Sequence, residues 1–137
     1  MSLTERATMS KSDVYNAVMG KIAKRLGREP RIVYELGGNP ASGKVVDNLD
    51  EIAFRGLVMF IEIRQSLHGF KDGKTDSIVY TSPVTHNPTF LDVAACADDM
   101  LHVMGDEHHV FLSRVSIIGN QYDDNSGIVL VGFTTES

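Results

Sequence analysis

The sequence predicts one α/β domain, with α+β as the alternative class: a mixed sheet of about four strands with three helices, in the order α-β-α-β-α-β-β. Three observations lead there. Two stretches, 12–26 and 89–104, repeat apolar residues at helical spacing and each ends at a glycine. Several short β-branched and aromatic runs are bounded by Gly, Pro or Asn. With 137 residues, 42% hydrophobic and 23% charged, the chain is long and apolar enough for one core, and no repeat or linker divides it.

Residues 1–11 read as a flexible polar arm and 12–137 as the globular domain. In the first helix Val14, Tyr15, Val18, Met19, Ile22 and Leu26 fall on one arc, with Ser10 or Ser12 as cap and Gly27 as the left-handed stop. Arg31 to Leu36, between Pro30 and Gly37-Gly38, reads as a short strand. The third element has two readings. Asn48 with Glu51 makes a capping-box pattern and His68-Gly69 a stop, which predicts a helix of about five turns. The rival is a strand from Leu57 to Arg64 started by Gly56, because that run is rich in β-formers; the helix is preferred. Lys71 to Lys74 reads as a turn and Ser77 to Thr81 as a strand that Pro83 ends. Asn87, Pro88 or Thr89 starts a helix that runs to Met104, with Gly105 as its stop and Phe90, Val93, Ala94, Ala97, Met100, Leu101 and Met104 on its core face. Val110–Ile118 and Ile128–Thr134 complete the order as an antiparallel pair joined by the acidic loop Asn120–Gly127. Both strands are apolar on each side, the pattern of strands covered on both faces.

The net charge of −5 is unevenly spread. Residues 1–31 carry +4, whereas from Asp76 onward nine acids face Arg114 alone. An acidic body repels phosphate, so nucleic acid is disfavoured as a partner despite the basic helix. Lys21, Lys24, Arg25 and Arg28 instead form a candidate interaction surface, expected to meet the acidic half within the subunit or across an interface. Cys96 is the only cysteine, which removes a disulfide framework and suggests a reducing, cytoplasmic setting. The longest apolar run, Leu57 to Ile61, is far short of a membrane span, so no membrane association is expected.

Two local patterns carry possible chemistry. Gly38 to Lys44 has the G-x-x-x-x-G-K spacing of a phosphate-cradling loop, with Gly38, Gly43 and Lys44 as its candidate contacts. Val45 cannot supply the magnesium-binding hydroxyl, and the helix caps at Asp47 and Asn48 come three or four residues late, so a flexible connection is the simpler reading. The second pattern packs Asp98, Asp99, His102, Asp106, Glu107, His108 and His109 into twelve positions. Asp98 and His102 are one helical turn apart, and His109 could join them around a divalent metal. The simpler reading is a solvated helix face followed by a polar turn. Cys96 sits among alanines in mid-helix and lacks a thiolate-forming environment, and no serine lies in a nucleophile elbow.

The preferred functional reading is therefore a non-catalytic, self-associating accessory, regulatory or assembly protein, a dimer or other homo-oligomer open to a protein partner and using no cofactor. The alternatives are a small metal-dependent enzyme or ligand-binding domain at Asp98, His102 and His109, and a phosphate or nucleotide binder at Gly38, Gly43 and Lys44.

Overall fold

The computed structural model describes residues 11–36, 47–65, 77–120 and 127–137. Helix α1 (Lys11–Leu26) leads into strand β1 (Val33–Tyr34), followed by β2 (Leu57–Gln65), β3 (Ser77–Thr81), β4 (Thr85–His86), helix α2 (Phe90–Met104), β5 (Phe111–Asn120) and β6 (Ile128–Glu136). The six strands form one mixed sheet in the order β1-β5-β6-β2-β3, with β4 also paired to β2. β1 runs parallel to β5 and β2 parallel to β6, while β5–β6, β2–β3 and β2–β4 are antiparallel. The α/β class thus holds, with two helices rather than three among the described residues. The expected arm at 1–11, apart from Lys11, and the turn at Lys71–Lys74 lie outside the described residues.

Helix α2 follows its local code. The Thr89 hydroxyl accepts from the Asp92 N–H, and the Asp92 carboxylate accepts in return from the Thr89 N–H, a complete capping box. At the other end Gly105 takes the left-handed conformation, φ 67°, and its N–H donates to the His102 and Leu101 carbonyls. Thr89→Ala removes one half of the box and is expected to lower stability by about 1 kcal/mol, read as a shift in the urea midpoint.

The third expected helix is not formed: Leu57–Gln65 is strand β2, the reading ranked second from the sequence. Two causes are visible. Residues 49–53 are already committed to the start of α2, because Phe90 N–H donates to the Glu51 carbonyl, Leu91 N–H to that of Leu49, and Ala53 N–H to that of Pro88. The first two bonds satisfy N–H groups that an α-helix leaves without partners in its first turn. Asn48 does not cap a helix; its side chain accepts from the Tyr34 hydroxyl and donates to the Leu36 carbonyl. Gly56, at φ 95°, then turns the chain into a run of β-formers that is zipped on both sides by β6 and β3.

The core lies between the helices and one face of the sheet. Val18 and Ile22 of α1, with Val93, Ala94, Ala97, Met100 and Leu101 of α2, pack on Tyr34, Val58, Phe60, Tyr80, Leu112 and Val131. Register places these strand residues on a common face: Phe60 pairs with Val131, and Tyr80 opposes Glu62, two residues beyond Phe60. Phe60 and Phe133 stack with centroids 5.4 Å apart. The expectation of strands covered on both faces is corrected: among the described residues both helices lie on one face, and the other is open.

Candidate functional site

The acid–histidine segment of α2 is built into the fold. Asp98 is completely buried, not on a solvated helix face. Its Oδ1 accepts the N–H groups of Arg31 and Ile32, the latter at 3.1 Å, and its Oδ2 accepts from Arg28 Nη2 at 2.6 Å. His102 Nε2 stands 3.4 Å from the same Oδ2. One carboxylate therefore ties the middle of α2 to the two residues that enter β1. Arg31 extends the tie, since its Nη1 donates to the Leu101 and Asp106 carbonyls at the C-terminal end of α2.

Asp106 organises the next turn. Its Oδ1 accepts the N–H groups of His108 and His109 at 2.8 and 3.0 Å, and its Oδ2 takes Arg64 Nη1 at 2.6 Å and faces His109 Nδ1 at 3.1 Å. Arg64 Nη2 also donates to the Thr135 hydroxyl at 2.9 Å, so the α2–β5 turn is fastened to β2 and β6. Burial works to raise the Asp106 carboxyl, but the His109 and His108 N–H groups, the His109 ring and the Arg64 guanidinium hold it well below the usual carboxylate range. Asp92 is lowered in the same manner, with burial outweighed by the Thr89 N–H, Arg25 and the Thr89 hydroxyl.

A pH dependence with a definite sign follows. A carboxyl held below its unfolded value contributes stability that is complete above the unfolded pKa of about 3.9 and drains away as pH falls through that value toward the folded one. Asp106→Asn is expected to be less stable than wild type at pH 7, with the gap narrowing as pH falls from about 5 to 2. Urea midpoints of both proteins at pH 7 and pH 3 check this, and a gap that widens in acid contradicts it.

The candidate residues are thus placed as follows. Asp98 and His102 are neighbours, while His109 pairs with Asp106, and among the described residues no group of three His, Cys, Asp or Glu is arranged to hold a metal ion. Gly38, Gly43 and Lys44 lie outside the described residues. Of the basic helix set, Arg25 pairs with Asp92 at 2.8 Å, Arg28 with Asp98 and Asp99, and Lys21 with Asp47; Lys24 is exposed. The charges of Arg25 and Arg28 therefore meet the acidic half of the chain inside one subunit. Between these groups a cleft of about 360 Å³ is lined by Arg25, Arg28, Asp92 and Asp99 around Pro83 and Cys96. Burial pushes the Cys96 thiol up, partly offset by Tyr80, which leaves it a packed thiol and a poor nucleophile at neutral pH.

The open sheet face is different in character, and sequence reading missed it as a surface. On β2, Leu57 and Ile63 are 39% and 60% exposed, and between them Met59 and Ile61 are half-buried. Register puts Ile128 beside Leu57, Leu130 beside Met59 and Val79 beside Ile63. Val79 is 52% exposed, and Ile118, at a bulge of β5, is 59% exposed. Gly132 leaves a shallow dent of about 230 Å³ bounded by Ile61, Ile63 and Ile118, the last so near that a Cβ on Gly132 would come within 3.2 Å of its methyl group. The remaining positions of this stretch, Thr81, Ser116 and Thr134, are small and uncharged; Arg114 and Glu136 stand at the β5–β6 corner. The signal was present in the sequence as strands apolar on both sides.

Fold and surface together define a class: a mixed α/β protein in which, among the described residues, both helices lie on one side of the sheet and an apolar patch lies on the other. Compared with family models, curated proteins and solved structures, the chain matches none. No helix among the described residues is long and apolar enough to cross a membrane.

Proposed function

We propose that this chain is a non-catalytic, self-associating protein, an assembly or regulatory subunit that acts by contact rather than by turnover. The open sheet face carries the reading. Isolated apolar residues on a surface need no explanation, but a contiguous group spanning four strands, without a charge among them, has the composition of an interface core.

The polar network supports the same reading from the other side. Asp98 holds two backbone N–H groups and a guanidinium, and Asp106 holds two N–H groups, a guanidinium and an imidazole. Carboxylates so occupied stabilise a fold; a general base or metal ligand needs a lone pair directed at its substrate or ion. A lone, packed Cys96 suits a reducing compartment such as the cytoplasm.

Light scattering on the full chain at tens of micromolar tests the reading. The expected mass is a small multiple of 15.0 kDa, with twice that value favoured. A single species of 15.0 kDa throughout that range contradicts it.

A further inference from the structure

We infer that the open face of the sheet is the contact between two copies of this chain, packed face to face about a two-fold axis; this rests on the self-associating reading above. The exposed area is sufficient for such a contact. Leu57, Ile63, Val79 and Ile118, with the half-buried Met59, Ile61, Ile128 and Leu130, leave on the order of 500 Å² of apolar surface in water, so pairing two such faces buries roughly the 1,000 Å² at which specific interfaces begin. Two sheets meeting this way interdigitate their side chains at a separation of about 10 Å.

The charge pattern suits the same pairing. In an isologous contact each patch meets its own copy, so any charge at the centre faces a like charge or is buried alone. The apolar group itself carries none; Arg114 on β5, opposite Thr134, and Glu136 on β6 flank it. The basic residues of α1 and of the turn after it, by contrast, are largely engaged within the subunit through Lys21–Asp47, Arg25–Asp92 and Arg28–Asp98.

The sheet edges are poorly suited to pairing. β5 is paired with β1 only at Phe111 and Leu112, and beyond them it is irregular at Ser113 and again at Ile118. The opposite edge is broken between β3 and β4 at Ser82-Pro83, where Ser82 takes up the Phe60 backbone. Bulges and breaks of this kind discourage edge-to-edge pairing. The open face remains as the surface able to receive a second copy.

The test compares wild type with the double variant Ile63→Lys/Val79→Lys and with Lys24→Glu/Arg25→Glu, by light scattering and circular dichroism at tens of micromolar. Residues 63 and 79 are more than half exposed in one subunit, so each lysine can reach water without disturbing the core. Expected is a wild-type mass of twice 15.0 kDa, a face variant at 15.0 kDa with unaltered circular dichroism, and a helix variant that still dimerises. If the face variant unfolds, Ile63→Thr, a β-former, replaces it and is expected to weaken dimerisation about tenfold. A dimer that tolerates the face substitutions, whether or not it yields to the helix reversal, overturns the face while leaving self-association intact. A monomeric wild type overturns both.

Discussion

Asp98→Ala is expected to destabilise the fold by about 2–5 kcal/mol, chiefly because two backbone N–H groups lose their acceptor. The loss has three parts. Ile32 N–H sits in a fully buried residue and loses its acceptor, Arg31 N–H loses the same oxygen, and Arg28 loses the shorter of its two carboxylate contacts. Each N–H left without a partner costs about 1–3 kcal/mol. Arg28 contributes less, since its side chain is 41% exposed and recovers water, and Asp99 still faces it at 3.0 Å. The alanine also leaves space beside Leu101 and Ile32 that the surrounding core fills only partly. Asp98→Asn keeps an oxygen able to accept from Arg31 and Ile32 but turns a donor toward Arg28, which is exposed enough to turn to water and Asp99, so its cost is expected to be smaller than that of alanine. Urea unfolding followed by circular dichroism measures both. Equal, small losses in the two variants would show that Asp98 does not hold α2 to the entry of β1.

That role could not be read from the sequence. Asp98 sits one turn after Ala94 and three residues before Leu101, at the flank of the apolar stripe, where a lone carboxylate reads as solvated. The donors that justify its burial come from residues 66 to 70 positions earlier, and no local pattern reports them. Elements whose signals are local were legible. The bounds of α2 follow from Thr89 and Gly105, and β3, Ser77–Thr81, follows from its own β-formers and Pro83. β2 shows the limit of that approach. Asn48 and Glu51 carry a helix-start pattern, yet a segment that can satisfy the first turn of another helix and then pair with β3, β4 and β6 has stronger claims on its backbone than a local cap of about 1 kcal/mol. The open face was half legible. Apolar residues on both sides of a strand say that both faces seek cover, but cover from a helix of the same chain and cover from a second subunit leave the same mark. The two-residue β4 was missed because it is defined by its partner Leu57–Val58 and not by any run of its own.

Phe60→Ala is the core substitution with the largest expected effect, about 3–5 kcal/mol. Phe60 is fully buried at the centre of the helix-facing side of β2, beside Val131 and stacked on Phe133. It lies between β6 on one side and, on the other, Ser82, whose hydroxyl accepts the Phe60 N–H at 2.8 Å and whose own N–H donates to the Phe60 carbonyl at 2.9 Å. Truncation removes the ring contact and opens a cavity, while these backbone bonds pin the strand and restrict the collapse that would fill it. A loss of this size is a large fraction of the roughly 5–15 kcal/mol that keeps a domain folded, and a fall in melting temperature on the order of 10 °C is expected. Leu57→Ala, on the open side of the same strand and 39% exposed, is expected to cost the isolated subunit much less and to act on subunit association instead. The pair of variants separates the two faces of β2. Phe60→Ala should lower the urea midpoint at every protein concentration, whereas the effect of Leu57→Ala should depend on concentration as that of an interface residue must. A Leu57→Ala deficit that matches Phe60→Ala and ignores concentration would mean that both faces of β2 are covered within one subunit.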